Sequence, residues 1–329
     1  MLDTPVALII FRRADLTERA LQAIAKVKPR QLFVIADGPR PERADDVAAV
    51  AATRAIINTI DWDCEVIKNY AEVNLGCGLR PATGITWLFE QVEQAIILED
   101  DCVPHPSFFR FCEEMLVRYH DDERIMTVGG CNYQKDSLPT SHSYIFSRMP
   151  SCVGSWATWR RAWQYFDQRL GQWPLLRSGP LLKTMLEHDK VVDFYSELFD
   201  QTFAAAGNLS YWDHQWTLAC WANRGLSILP RLNLVSNIGW GSESTHCHDR
   251  DHPSHNLPAL EMPFPLIHPP MVLDDILLDR RWLQEAADEI HKQRLPLHRR
   301  VARKFKRFLH VFANPSGLRG QGQLRRVAE

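Results

Sequence analysis

The first 130 residues alternate short apolar runs with longer helical segments, and this alternation is the strongest constraint on the fold. The helical segments include residues 15–26, which open with an aspartate cap, and residues 43–60, where apolar residues recur at intervals of three and four. Strands that alternate with helices at this spacing predict a Rossmann-like α/β fold, with a mostly parallel sheet covered by helices on both faces. The runs that we interpret as buried strands are rich in Ile and Val: Pro5–Phe11, Gln31–Asp37, Cys64–Asn69, Gln94–Asp100 and Arg124–Gly130.

The residues that directly follow these strands are the first candidates for a site, because ligands of such sheets bind beyond the carboxyl ends of the strands. Arg12 and Arg13 follow the first strand, where a nucleotide base or a phosphate would be met. An exposed loop charge is the alternative interpretation for both. Asp37 ends the second strand, and residues 99–101 end the fourth.

Residues 99–101 are three consecutive carboxylates, Glu99, Asp100 and Asp101. With 40 acids in 329 residues, chance gives roughly 0.6 such triplets, and roughly 0.02 when four apolar residues must precede it. Clustered carboxylates raise each other's pKa, and a divalent cation relieves this repulsion. Oxygen ligands favour Mg²⁺ or Mn²⁺, so we expect one of these ions at the triplet. The alternative is an acidic strand end that caps the following helix through a solvated turn.

From about residue 131 the chain becomes dense in tryptophan, notably over residues 154–163 and 210–221. Large aromatic side chains beside a cleft can form a platform for an acceptor, and we expect Trp156 and Trp159 to form its floor. A buried core is the alternative. A further helix is predicted over Asp274–Lys292, so residues 271–329 form a C-terminal helical region.

Five segments, in order, resemble glycosyltransferases of the GT-A fold. Within that fold, the chain is similar to bacterial relatives of the α-1,3-mannosyl-glycoprotein β-1,2-N-acetylglucosaminyltransferase and to family 2-like nucleotide-diphospho-sugar transferases. The resemblance implies that residues 1–130 bind the nucleotide sugar and that residues 131–270 bind the acceptor and carry catalysis. The segments that carry it are PVALIIFRRADLTERAL, FVIADGPRP, the stretch from Asn74 to Leu116, GSWATWRRAW, and YWDHQW followed by LPRLNLVSNIGWGSESTH.

The resemblance also implies roles for five carboxylates. Asp37 would contact the uracil or ribose side of the nucleotide. Asp101 would hold the metal that bridges the donor diphosphate, Asp100 would face the ribose, and Glu99 would organise the loop. Asp213, which follows a tryptophan, matches the position of the general base, and an inverting transfer needs one carboxylate to take the acceptor hydroxyl's proton. A helix N-cap is the alternative for Asp213.

Two basic side chains complete the expected donor site. Arg80 opens the helix after the NLGCG turn, where a phosphate at the helix N-terminus would be met, and a surface charge is the alternative. His246 lies in a long Gly-, Ser- and His-rich loop that we expect to close over the donor diphosphate, with His246 reaching a phosphate or the metal. A zinc site in the same loop is disfavoured, because its Cys and His spacing matches no closed site.

The formal net charge of -2 hides a strong asymmetry. Residues 291–329 hold 11 of the 38 Lys and Arg and one acid, a net charge of +10. At helical spacing their apolar and basic residues fall on opposite faces, which predicts binding to an anionic membrane surface. Docking of the apolar stripe on the body of the protein is the alternative. No recognition motif accompanies the charge, so we expect no nucleic-acid partner.

The N-terminal apolar run is short and has no basic residues before it, and no stretch approaches about 20 apolar residues. The eight cysteines form no CxxC pair. We therefore expect a cytoplasmic protein with reduced thiols, peripheral at the inner face of the plasma membrane if the tail binds it.

Together these features predict a metal-dependent, inverting glycosyltransferase. It would move a sugar from a nucleotide diphosphate, UDP first of all, to a carbohydrate or lipid-linked acceptor in surface polysaccharide or glycan synthesis. A sugar-phosphate nucleotidyltransferase is one alternative, although the FRRADL segment lacks the glycines of its phosphate loop. A non-catalytic, membrane-docked protein that binds nucleotide sugars is the other.

Overall fold

A computed structural model describes residues 1–132, 138–152, 154–206, 211–241 and 255–293. The elements of the first half are β1 (Val6–Ile10), α1 (Ala14–Ala25), β2 (Gln31–Ala36), α2 (Ala44–Ile56), β3 (Glu65–Tyr70), α3 (Gly76–Gln91), β4 (Gln94–Glu99), β5 (Cys102–Pro104), α4 (Pro106–Arg118) and β6 (Ile125–Gly129). Those that follow are β7 (Tyr144–Ser147), β8 (Ser155–Trp159), α5 (Arg160–Trp163), α6 (Trp173–Ser178), α7 (Leu181–Leu186), α8 (Asp189–Ala204), α9 (Asp213–Ala222), β9 (Leu226–Pro230), β10 (Val235–Asn237) and α10 (Ile276–Gln293).

The described strands form an eight-stranded sheet in the order β3-β2-β1-β4-β8-β6-β9-β7. The first four strands in this order are parallel to one another. Strand β8 is antiparallel to both of its neighbours, and β7 is antiparallel to β9, while β6 and β9 are parallel. The predicted mostly parallel sheet is confirmed. Each strand predicted in the first 130 residues begins and ends within one residue of the predicted position.

Side chains of the parallel strands alternate between two apolar cores, one on each face of the sheet. In β1, Val6, Leu8 and Ile10 pack with α1 and α4 on one face. Ala7 and Ile9 pack with α3, α5 and α9 on the other. Because successive residues of a strand point to opposite faces, a continuous apolar strand needs helices on both sides. The predicted two-sided cover is therefore confirmed.

The tryptophan-rich second half contributes four strands and a helical layer. Strands β7, β8 and β9 join the same sheet as the first half, and β10 pairs with β5. Helices α6 to α10 share a third apolar core that includes Trp173, Trp221 and Leu283. Helix α10 confirms the helix expected over Asp274–Lys292, whereas the basic stretch after residue 293 lies outside the described residues. Among the helices described, none has the length and apolar character needed to cross a bilayer.

One close contact positions α3 on the sheet. Gly84 of α3 faces Ile35 of β2, and a Cβ built at Gly84 would lie 2.3 Å from Ile35 Cγ2. Both residues are buried. Only a glycine lets the helix approach β2 this closely.

The Gly84→Ala variant tests this packing, because the substitution affects the free energy of unfolding in two opposite ways. Alanine raises helix propensity by about 1 kcal/mol, whereas overpacking costs about 1–3 kcal/mol. We expect overpacking to prevail and chemical denaturation to show a lower free energy of unfolding. Gly179→Ala is the control, since the nearest atom to a Cβ there is 3.6 Å away. A Gly84→Ala variant as stable as the wild type would contradict the packing.

Candidate functional site

The acidic triplet lies at the carboxyl end of β4, beside the end of β1. Glu99 pairs with Ile9 in the parallel register of the two strands. Asp100 and Asp101 are buried, with 4% and 8% of their surface exposed, and Glu99 is half-buried. Three adjacent carboxylates are thus held largely out of water, where their repulsion must be offset by a positive charge.

Arg13 supplies this positive charge. Its Nη2 donates to one oxygen of Asp100 and, at 3.0 Å, to Oδ2 of Asp101, while its Nε lies 3.4 Å from the other Asp100 oxygen. Burial lowers the pKa of Arg13, but the two carboxylates outweigh this and the pKa is raised above its ordinary value. The guanidinium therefore stays charged between the two aspartates.

Arg12, which we expected to contact the nucleotide, faces a different element. Its guanidinium pairs with Asp45 at 2.8 Å and with Asp46 at 3.2 Å, both in the first turn of α2. The side chains of Arg12 and Arg13 leave the end of β1 in different directions, and the expected contact of Arg12 with the nucleotide stays a prediction. The pair was visible in the sequence, but the direction of each side chain was not.

Burial and repulsion shape the protonation of the triplet. Burial, followed by the charges of Asp101 and Asp100, raises the pKa of Glu99 to about 8. Burial also raises the pKa of Asp100 to about 6, with Asp101 acting in the same direction and Arg13 opposing it. Glu99 and Asp100 therefore hold a proton more readily than exposed carboxylates do.

Asp213 joins the triplet at this edge of the sheet. It is the first residue of α9, and Trp212 is the N-cap, so the N-cap alternative for Asp213 is wrong. The Trp212 ring stacks on Trp156 of β8, with centroids 5.6 Å apart and planes inclined by 22°. Because Trp156 pairs with Ile97 of β4, this stack fixes the start of α9 near the end of β4. The charge of Asp213 contributes to the raised pKa of Glu99.

The segment that follows β10 packs against Asp101. Ile238 N–H donates to the Asp101 carbonyl at 2.9 Å, and the Asn237 amide lies 3.5 Å from Asp101 Oδ1. A Cβ at Gly239 would lie 2.0 Å from Asp101 Oδ2. A glycine is thus required where this segment crosses the carboxylate.

The carboxylate of Asp37 has a structural task. Oδ1 accepts the Gly38 and Leu75 N–H groups, both at 2.8 Å. Oδ2 accepts the Gly76 N–H and the Asn74 amide, both at 2.9 Å. A carboxylate offers about four acceptor positions, and all are filled. Asp37 therefore ties the start of α3 to the end of β2, and its expected contact with uracil or ribose stays a prediction.

Arg80 also has a structural task. The side chain is buried, and it donates to the Ala36 carbonyl at 3.1 Å and to Asn69 Oδ1 at 2.6 Å. It thereby joins the ends of β2 and β3. The surface-charge alternative is therefore wrong, because Arg80 is buried, and the expected phosphate contact stays a prediction.

The expected acceptor floor is also contradicted. Trp156 and Trp159 are each 1% exposed, and they lie in the cores on opposite faces of the sheet. The indole N–H of Trp159 donates to the Leu116 carbonyl at 3.1 Å. The core alternative therefore holds for both residues, and the link of Trp156 to the site runs through Trp212.

His246 lies outside the described residues, as do residues 242–254 as a whole, so its expected contact with a phosphate or the metal stays a prediction. The described residues that precede and follow this gap contact each other at β10. Gly239 lies against Asp101, and the Asn256 N–H donates to the Asn237 carbonyl at 3.0 Å.

The arrangement of the described residues does not fit a resident Mn²⁺ or Mg²⁺ ion. Within the described ranges, no group of three or more His, Cys, Asp or Glu side chains is arranged to hold a metal. Arg13 Nη2 donates to one carboxylate oxygen of Asp100 and to one of Asp101. A divalent ion at Asp101 would need Arg13 to give up this contact.

Comparison with known proteins assigns no family. No protein-family model matches the chain, and no curated protein is similar to it. Among solved structures, mouse xyloside xylosyltransferase 1 is 11% identical over 66% of this chain and 81% of its own, with a TM-score of 0.31. A UDP-glucose pyrophosphorylase bound to UDP-glucose is 9% identical over 50% and 79%, with a TM-score of 0.30. The 4-diphosphocytidyl-2C-methyl-D-erythritol synthase of Anaerococcus prevotii is 14% identical over 48% and 72%, with a TM-score of 0.30. At these scores the similarities carry no argument about activity.

The Asp37→Asn variant tests the structural role of Asp37. An amide nitrogen would face two N–H donors, so one pair of buried donors would lose its acceptor. We expect a loss of about 1–3 kcal/mol in the free energy of unfolding, measured by denaturation without any ligand. Asp45→Asn is the control: its side chain is 55% exposed, and surface ion pairs contribute only about 0–1 kcal/mol. Equal stabilities of the two variants would show that Asp37 is not needed to hold α3.

Proposed function

We propose that the chain is an inverting glycosyltransferase. It moves a sugar from a nucleotide-diphosphate donor, a UDP-sugar first among the candidates, to a carbohydrate or lipid-linked acceptor in surface polysaccharide or glycan synthesis. The observation that supports this best is the convergence of Asp213 with the acidic triplet and Arg13 at the carboxyl edge of β1 and β4. The resemblance of five sequence segments to GT-A glycosyltransferases supports the same proposal.

In this proposal Asp213 is the general base. Its carboxylate accepts the proton of the acceptor hydroxyl while that oxygen attacks the anomeric carbon. The bond from the anomeric carbon to the diphosphate breaks on the opposite face, so the configuration inverts and the electron pair leaves with the nucleotide diphosphate. The buried stack of Trp156 and Trp212 holds the start of α9, which orients Asp213.

Donor binding is the first experiment. Thermal-shift measurements with UDP-, GDP-, dTDP- and CMP-sugars would compare each donor with its free sugar. A ligand that binds only the folded state at 100 times its Kd stabilises it by about 2.7 kcal/mol. We expect a nucleotide-diphospho-sugar to raise the Tm and its free sugar to leave it unchanged. No shift with any of the nucleotide sugars would contradict the proposal.

The Asp213→Asn variant tests the base. An amide cannot accept the proton, so we expect transfer to fall by about 10²-fold or more, while the donor-induced rise in Tm is kept. The assay follows release of the nucleoside diphosphate with an acceptor that supports turnover by the wild type. Asp189→Asn is a matched control, because Asp189 is likewise the first residue of a helix, α8, and is exposed. It removes the same favourable interaction with a helix dipole. An active Asp213→Asn variant would place the base elsewhere.

The same reactions distinguish the two alternatives. Release of pyrophosphate from a nucleoside triphosphate and a sugar phosphate would identify a nucleotidyltransferase. Binding of a nucleotide sugar with no turnover, indifferent to Asp213, would identify a non-catalytic binding protein.

We further propose that the basic C-terminal stretch brings the protein to an anionic membrane at the inner face of the plasma membrane. Residues 291–329 carry a net charge of +10, and each Lys or Arg near an anionic surface contributes about 1 kcal/mol. Exposed apolar side chains lie just before and in the first turn of α10, with Met271 and Leu273 each 63% exposed and Leu277 78% exposed. A lipid-linked acceptor would lie at such a surface.

Removal of residues 294–329, which leaves the residues of α10 in place, tests the membrane proposal. We expect the full chain to sediment with phosphatidylserine vesicles at low salt and the truncated chain to stay in solution, because the positive charge is lost. Neutral phosphatidylcholine vesicles are the control. Equal sedimentation of both chains would contradict the proposal. A lower Tm of the truncated chain, without a change in vesicle binding, would show that the tail docks on the body.

A further inference from the structure

We propose that a cavity at the sheet edge opposite the acidic triplet binds the phosphate group of a small phosphorylated molecule. The cavity has a volume of about 340 Å³ and is lined by Arg124, Arg161 and Arg224, with Glu123 also in its wall. This volume lies at the small end of the range of ligand sites, about 300–1,000 Å³. The proposal goes beyond the proposed transferase activity and does not rest on it.

The topology of the sheet brings the three arginines together. Strands β6 and β9 are parallel neighbours, and Arg124 and Arg224 lie just before them. Strand β8 is antiparallel to β6 on its other side, so the end of β8 lies at the same edge. Arg161 lies just after that end. Three side chains that are far apart in sequence therefore line one cavity.

The charge of Arg161 has no direct carboxylate partner among the described residues. Its guanidinium donates to three carbonyls instead: Nε to His120 at 2.7 Å, Nη1 to Ile125 at 3.0 Å and Nη2 to Tyr119 at 2.8 Å. Because a guanidinium has five N–H donors, each Nη keeps one for a ligand. Burial lowers the pKa of Arg161, and the charges of nearby carboxylates only partly oppose this effect. An anion in the cavity would compensate a charge that is held partly out of water.

The other two arginines also keep donors for a ligand. Arg124 binds Asp122 through Nε at 2.8 Å and Nη2 at 2.6 Å, which leaves its Nη1 group. Arg224 is exposed, and its side chain makes no hydrogen bond or ion pair with the residues that the structure describes. Its backbone is held at the end of α9, where the Arg224 N–H donates to the Trp221 carbonyl at 3.1 Å. Each of the three arginines can therefore donate to a bound anion.

A phosphate group suits these donors better than a carboxylate does. A phosphate monoester carries a charge of about -1.5 to -2 and three acceptor oxygens, and guanidinium groups bind it through pairs of parallel hydrogen bonds. A carboxylate has one charge and two oxygens, so it would leave more of the positive charge uncompensated. The carboxylate of Glu123 opposes any anion in the cavity.

Arg224→Gly removes one of the three charges at a position where the fold does not need a side chain. Arg224 has a φ of +53°, which glycine adopts without strain. Lys28→Gly is a matched control, because Lys28 has a φ of +48°, is exposed and follows the end of α1. Lys28 is not among the described residues that line the cavity. Both variants thus lower the net charge equally at the same backbone conformation.

The experiment is calorimetric titration of the full-length protein with inorganic phosphate, and then with glucose 6-phosphate, at constant ionic strength and without nucleotide. We expect the wild type and Lys28→Gly to bind both probes with equal affinity. Arg224→Gly should bind about tenfold more weakly or worse, because a hydrogen bond between charged groups is lost. Glu123→Gln should bind about twofold to fivefold more tightly, because a nearby negative charge is removed. Without ligand, Arg224→Gly should keep the Tm of the wild type.

Equal affinities of the wild type and Arg224→Gly would overturn the proposal, and so would undetectable binding of both probes by the wild type. An equal loss in Lys28→Gly would also overturn it, because the effect would then be one of net charge. Acetate that binds as tightly as phosphate would contradict the choice of a phosphate group. If Arg224→Gly does not fold, Arg224→Gln provides the test, with the same expected loss of affinity. Since no nucleotide sugar is present, none of these outcomes decides the proposed transferase activity.

Discussion

The repulsion among three carboxylates at the end of a buried strand is the constraint around which this edge of the sheet is built. Strand β4 carries Glu99, Asp100 and Asp101 to the sheet edge, where burial makes uncompensated charge costly. Arg13, which follows the end of β1, donates hydrogen bonds to the aspartates, and the segment after β10 packs its backbone against Asp101. The start of α9 then adds Asp213, held by stacked indole rings. The end of β1, the segment after β10 and the start of α9 thus all lie beside the same three carboxylates.

The sheet and the position of the acidic triplet at its edge could be predicted from the sequence, because both follow from local patterns. Apolar runs bounded by polar residues marked the parallel strands to within one residue. The carboxylates were predicted at the sheet edge because they directly follow such a run. Asp213 is also brought to this edge, although its position came from resemblance to a family and not from periodicity.

The roles of single side chains could not be predicted, because they depend on direction and on the partners already bound. Arg12 and Arg13 are equivalent in sequence, yet only Arg13 turns towards the triplet. Asp37 ends a strand as a ligand-binding residue would, but four donors from its own chain fill its oxygens. Trp156 and Trp159 lie on a strand that enters the middle of the sheet, which no local pattern in the tryptophan-rich segment indicated. Buried polar groups find partners within the fold first, and only the remaining donors and acceptors can serve a ligand.

The most direct test of the account is a crystal structure of the protein with a bound UDP-sugar. The account predicts that the diphosphate lies at the carboxyl edge of β1 and β4, next to Arg13 and Asp101, with the anomeric carbon facing Asp213. The opposite edge of the sheet offers a clear contrast. There, a cavity of about 340 Å³ is lined by Arg124, Arg161 and Arg224 among others, and its charge would also suit a phosphate. A donor bound in that cavity, with the cleft beside the triplet empty, would contradict the account.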